Sequence, residues 1–152
     1  MEIENVSGRS CEFLPSARHL SENSHIQVPF DPQKKTFLFI GRYHPHKGPD
    51  VLLDAIRLLP DAVKNQSEFH LYGGGQMEDD LKASVHNLQW NFVHIHGFAP
   101  SNTVAALMEK SHFLIIPSRE DSIPLIFSEA LRMQLPMITS DVGDMALIVE
   151  KH

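Results

Sequence analysis

Thr36-Phe37-Leu38-Phe39-Ile40-Gly41 is a short, almost unbroken apolar run that stops at a glycine. Its length and its aromatic and β-branched content predict a strand rather than a helix. Polar residues do not alternate through it, so both of its faces are expected to be covered, as in a parallel sheet. Beyond it, Pro49 stands where a helix can start, and Val51, Leu52, Ala55, Ile56 and Leu59 fall on one helical face that Pro60 ends. The same logic then repeats. Strand Phe69–Tyr72 is closed by Gly73-Gly74-Gly75 and followed by an amphipathic helix over Glu78–Leu88. Strand Phe92–Ile95 ends at Gly97, and a helix over Val104–Lys110 has Ser101 or Asn102 as its expected cap. Strand Phe113–Ile116 leads to a helix opened by Ser122 and Pro124 that runs to about Met133. A fifth strand begins over Pro136–Thr139, and Asp144–Val149 reads as a last helical turn. Strands alternating with helices predict an α/β fold, a Rossmann-like doubly wound parallel sheet, over residues 35–152. Residues 1–34 carry Pro, Ser, Asn and charges with little periodicity and read as an irregular arm or interdomain linker.

Composition narrows the function. Apolar residues make up 42% of the 152 and charged residues 21%, as in an ordinary globular protein. The formal net charge of −6 repels duplex nucleic acid and anionic membranes, so neither is an expected partner. A small phosphate ligand stays compatible, because a few local cations and backbone amides are enough to hold one. No apolar run approaches the ~20 residues of a membrane span, and MEIENVSGRS lacks a secretory pattern. Cys11 is the single cysteine, so no internal disulfide forms. A cytoplasmic setting, with peripheral membrane association left open, is the expectation.

In doubly wound sheets ligands bind beyond the carboxyl ends of the strands. After the first strand, Arg42 and Lys47 bracket a loop that runs from Gly41 to a helix N-terminus. Arginine suits a bidentate phosphate contact, lysine supplies a compact charge, and a helix start favours an anion. The plain alternative is two solvated cations and turn glycines. After the second strand, Gly73-Gly74-Gly75 allows a ligand to lie against the main chain, or simply makes a tight turn. It is not the GxGxxG dinucleotide fingerprint. After the fourth strand, Asp121 precedes a helix and Glu129 lies about two turns inside it. The helix start near Ile123, Pro124 and Leu125 offers unpaired amides to an anion, and flanking carboxylates can accept sugar hydroxyls. A capped helix carrying one solvated glutamate is the alternative.

GRYHPHKG (41–48), LYGGGQM (71–77), VHIHGF (93–98), IIPSREDSIPLIFSEAL (115–131) and LPMITSDVGDM (135–145) occur in that order, each beside an expected strand. Together they resemble the C-terminal donor-binding domain of the group 1 (family four) retaining glycosyltransferases, which have the GT-B architecture. The resemblance implies that Arg42 and Lys47 neutralise a donor diphosphate, and that Gly41 and Gly75 line the donor cleft. It implies that Phe98 lies near the nucleobase, and that Leu125 turns its amide to the phosphates. Asp121 would contact the donor sugar and Glu129 the ribose. The sequence departs from the family pattern in three motif features. The first acidic residue is usually Glu, whereas Asp121 stands here with Glu120 beside it. Ser122 and Pro124 replace glycines, and Gly73-Gly74-Gly75 replaces Gly-Asp-Gly. The donor is expected to be a UDP-, GDP- or ADP-sugar, with no cofactor and no metal, since the cations take a metal's role.

The family's acceptor-binding N-terminal domain is not in this sequence. Asn5 and Phe13-Leu14-Pro15 resemble the interdomain stretch, and the domain is expected to be C-terminally incomplete. The missing domain is the expected partner, in the same chain or another. The rival reading is a catalytically inactive nucleotide-sugar-binding or assembly module. A GT-B epimerase and a dehydrogenase fit less well, the first against the segment after strand four, the second for want of a glycine fingerprint. Ten histidines raise a metal site; His44 and His46 flank Pro45, and His94 and His96 share a strand face. No Cys/His framework has zinc spacing, which favours satisfied or solvated histidines. Arg119 reads as a surface cation, and Trp90 and Met133 as core.

Overall fold

The computed structural model describes residues 30–145. Most of the expected arm, including Asn5, Cys11 and Phe13-Leu14-Pro15, lies outside those residues, as does most of the expected turn Asp144–Val149. At Asp31 the side chain accepts the Gln33 N–H (2.9 Å) and the carbonyl accepts the Lys34 N–H (3.1 Å), a turn that delivers the chain into the sheet.

Five strands follow: β1 (Lys35–Ile40), β2 (Ser67–Tyr72), β3 (Val93–His96), β4 (Phe113–Ile116) and β5 (Met137–Thr139). Every pairing is parallel, and the order across the sheet is β3-β2-β1-β4-β5. The helices are α1 (Pro49–Leu58), α2 (Asp61–Asn65), α3 (Glu78–Asn87), α4 (Val104–Lys110) and α5 (Leu125–Arg132). Successive residues of β1 face opposite sides, and each side has its own core. Leu38 meets Leu107, Met108, Phe127 and Ala130 of α4 and α5. Phe39 meets Leu52, Leu53 and Ile56 of α1 and Leu81 of α3. This double burial is why β1 and β4 are apolar without alternation. Across the α1/α3 face, Phe37 stacks on Phe69 (ring centroids 4.8 Å apart) and on Phe113 (5.1 Å), joining β2, β1 and β4.

The sequence boundaries shift in physically instructive places. Pro60 does end α1, but its carbonyl also accepts the Val63 and Lys64 amides (3.0 and 3.1 Å) and so starts the unforeseen α2. Neither Ser101 nor Asn102 caps α4. Thr103 holds that position, and its hydroxyl donates backward to the Pro100 carbonyl (2.7 Å). Helix α5 starts only at Leu125, with Pro124 as its cap residue.

Strand β2 begins two residues earlier than its apolar pattern suggests, because Ser67 and Glu68 are buried. Glu68 accepts the Asp31 N–H (3.1 Å) and lies 3.3 Å from the Nε2 of His70. Burial works to raise the Glu68 carboxyl, but these hydrogen bonds outweigh it and hold it below the usual range. Burial pushes the His70 imidazole down to about 4, against the opposing pull of Glu68.

Candidate functional site

β1 and β4 are neighbours in the sheet although two strands separate them along the chain. Strand order therefore reverses between them, and the loops that leave their carboxyl ends frame a crevice. The loop after β1 forms one 3₁₀ turn, Pro45–Lys47, and closes at Gly48. Gly48 has φ of +64°, and a Cβ there would stand 2.0 Å from the Pro117 carbonyl oxygen. Only glycine lets the two loops approach so closely.

Further contacts join these loops. The His46 carbonyl accepts the Arg119 and Glu120 amides (2.8 and 3.3 Å). Arg119 forks onto both carboxylate oxygens of Asp50 (2.8 and 2.7 Å) and also donates to the Pro45 carbonyl (2.9 Å). These Arg119 hydrogen bonds hold the Asp50 carboxyl below its ordinary range. Arg119 is thus a surface cation, as read from sequence, and also the tie between β4's loop and the first turn of α1. At the centre, the Lys47 ammonium donates to Oδ2 of Asp121, and the buried Ser118 hydroxyl donates to the same oxygen (3.3 Å).

Gly41, Lys47, Ser118, Asp121 and Pro124 line a cleft of about 40 Å³, floored by Ile40, Ile116 and Ile126. A larger open groove of about 470 Å³ lies away from it, along α3 and β3 beside Trp90. The small cleft is the one that holds the Lys47–Asp121 pair and Pro124, the cap residue of α5. Ile123, Pro124 and Leu125 are half-buried at that helix start, and no side chain caps it. Arg42 is exposed beside Gly41. Glu129, within α5, is fully buried.

The glycine triplet lies tightly against other parts of the chain. A Cβ on Gly73 would lie 2.0 Å from the Gly41 carbonyl oxygen, and one on Gly75, where φ is +144°, 2.8 Å from that of Tyr43. A Cβ on Gly74 would press the Phe98 ring at 2.5 Å. On the side where a Cβ would stand, the triplet is met by the loop after β1 and by Phe98, which itself is 72% exposed. Sequence reasoning overlooked Tyr43. It is fully buried, its hydroxyl within hydrogen-bond distance of the Leu71 and His96 carbonyls (2.6 and 2.7 Å), and burial raises its phenol above the ordinary range. It fixes the loop that carries Arg42 and Lys47 onto β2 and β3. Ser118, Ser140 and Gly143 were also missed. Ser140 donates to the Ser118 carbonyl, and a Cβ on Gly143 would lie 2.1 Å from that of Asp121, so β5's loop buttresses the Asp121 turn. A polar residue two positions beyond the end of a strand was the signal available for Ser118.

Residues 21–152 match the family model described as glycosyl transferases group 1. An uncharacterised glycosyltransferase of Methanocaldococcus jannaschii is 30% identical over 112 residues, 74% of this chain and 30% of that protein. The chain therefore spans about a third of the length of the curated relatives it matches. Among solved structures, Staphylococcus aureus TarM in complex with fondaparinux, α-GlcNAc-glycerol and UDP superposes with a TM-score of 0.68 at 19% identity, over 95% of this chain and 29% of TarM. Anabaena HepE in complex with UDP and glucose gives 0.66 at 21% identity, over 79% of this chain and 33% of HepE. Both have the fold seen here. With the family model spanning most of its length, this chain belongs to the group 1 glycosyltransferases.

Proposed function

We propose that this chain is the donor-binding half of a retaining glycosyltransferase and holds a nucleotide-diphosphate sugar across the β1/β4 crevice. One observation carries the reading: Lys47, Asp121 and the approach to α5 at Pro124 line one cleft at the point where strand order reverses. Lys47 is held by Asp121 before ligand arrives. A diphosphate there competes for the ammonium and releases the Asp121 carboxylate to accept sugar hydroxyls. The open amides at the start of α5 and the exposed Arg42 complete the charge on the leaving diphosphate. Preorganised charge of this kind lowers the barrier to anomeric C–O cleavage, and no metal or cofactor is needed for it. Phe98, exposed over Gly74, offers a ring or its backbone to the base. Glu129, buried within α5, is the residue assigned to the ribose. Complexes of TarM and HepE with UDP support this class of donor.

The acceptor is supplied by a separate domain, in the same polypeptide or another, so the 152-residue chain binds donor without robust turnover. Among the described residues no helix is long and apolar enough to cross a membrane; we place the working protein in the cytoplasm.

A thermal-shift titration with UDP-, GDP- and ADP-sugars tests the reading. One series is expected to raise Tm in step with ligand over Kd. Lys47→Ala is expected to weaken that donor at least about tenfold, which is about 1.4 kcal/mol. No shift with any donor, or an unchanged response in Lys47→Ala, overturns the assignment. Release of nucleoside diphosphate measured with candidate acceptors separates donor binding from transfer.

A further inference from the structure

Away from the crevice, on the opposite side of β2 from α1 and α3, the strand alternation collects four residues that the transfer reading does not use. Glu68 and His70 come from β2, His94 and His96 from edge strand β3. One ligand atom each from Glu68, His70 and His94 lies within 4.8 Å of the other two. The nearest pairs are tighter: His70 Nε2 to Glu68 Oε2 is 3.3 Å, and His94 Nε2 to Glu68 Oε1 is 3.9 Å. Donors about 2.0–2.2 Å from a tetrahedral zinc stand roughly 3.3–3.5 Å apart, so small side-chain rotations close the set. The His94 Nε2 is buried and has no hydrogen-bond partner, although its ring is 36% exposed. A buried imidazole nitrogen left in that state is costly unless something binds it.

From these positions we infer a divalent-metal site, best matched to Zn(II), formed by Glu68, His70 and His94 with water as a fourth donor. Two imidazoles and a carboxylate are the nitrogen and oxygen donors that zinc accepts. The surroundings fit. His96 Nε2 lies 3.0 Å from His70 Nδ1, so when an ion takes the His70 Nε2 the ring proton moves to Nδ1 and is held by His96. Without the ion, Nε2–H donates to Glu68; the ion takes that proton's place beside the carboxylate. Lys34 reaches Glu68 at 3.5 Å but is 31% exposed, so its ammonium withdraws into water when the ion binds. The ion is structural. It fastens β3 to β2, and through Glu68, which accepts the Asp31 amide, and His70, which packs on Phe30 (4.2 Å), it secures the entry of the chain into β1.

Titration of the full 152-residue chain with ZnCl₂ in chelator-cleared buffer, read by calorimetry and by competition with a chromogenic chelator, tests the site. One ion per chain is expected, with a higher Tm, and cobalt is expected to give the strong visible bands of a low-coordinate ion. His94→Ala, at the most exposed ligand, is expected to abolish this binding while retaining the wild-type circular dichroism. His96→Phe is expected to weaken it about 10–100-fold by removing the hydrogen bond to His70. The inference fails if the wild-type chain binds no zinc. It also fails if binding persists in His94→Ala and vanishes in His44→Ala/His46→Ala, the pair beside the crevice.

Discussion

Two glycines separate packing from ligand binding at the residue scale. Gly48 has φ of +64° and its missing Cβ would collide with a backbone oxygen, so Gly48→Ala is expected to cost about 2 kcal/mol or more, read from the denaturation midpoint. Gly97 has open space where a Cβ would go and no positive φ. Gly97→Ala is therefore expected to stay within about 0.5 kcal/mol of the wild type. If the donor's base lies against this segment, the same substitution weakens nucleotide binding in the thermal-shift titration. A loss of donor response with unchanged stability assigns Gly97 to the ligand; loss of stability refutes the open-space reading. Residues differed in how well the sequence disclosed them. Lys47 and Asp121 stood out because each lies in a loop that runs from an apolar strand to a helix start, where a cation suits an anion and a carboxylate suits hydroxyls. Tyr43 and the Glu68–His70–His94 set were hidden, because each depends on contacts between segments distant in the chain. No local pattern shows that a tyrosine hydroxyl reaches a carbonyl 53 residues away.

Elements were legible where hydrophobic periodicity decided them and blurred where polar groups were buried. All five strands and the long helices follow from apolar runs. The start of β2 does not, since Ser67 and Glu68 look like loop and are satisfied only by partners elsewhere in the fold. Helix α2 was lost because a proline that ends one helix can also start the next. Helix ends show a second regularity. After α3 the Gln89 amide donates to the His86 carbonyl (3.0 Å) and the Trp90 amide to that of Val85 (3.1 Å). After α5 the Gln134 amide donates to Leu131 (3.1 Å) and the Leu135 amide to Ala130 (3.0 Å). Both are Schellman ends with an exposed glutamine, φ +52° and +55°, at the position glycine normally takes. The left-handed conformation costs roughly 1–2 kcal/mol for an L-residue, and glycine returns part of that gain as backbone entropy. Gln89→Gly and Gln134→Gly are each expected to stabilise the chain by roughly 0.5–1 kcal/mol. Urea titrations check this, and a lower midpoint in both variants contradicts the capping argument.

For the whole molecule, two cores lie on opposite faces of one sheet and share its strands. Neither face can lose its packing while the other keeps β1, because Leu38 and Phe39 are adjacent in the chain and both buried. Among the described residues Trp90 packs against the α1/α3 core, whereas far-ultraviolet circular dichroism reports helices on both faces. The two thermal transitions are expected to coincide; a separate, earlier Trp90 transition would mean that the faces melt independently. The sheet was readable from the alternation of elements, but its order was not. The order brings β4 beside β1 and creates the crevice from loops far apart in sequence. Those loops are joined through Gly48 and Pro117, through the carbonyl of His46, through Arg119 and Asp50, and through Lys47 and Asp121. Anyone recombining parts between such transferases inherits a constraint from this stitching. Residues 117–124 and 44–50 form one interchangeable cassette, and a chimera that imports one without its mate separates hands that were made to clasp.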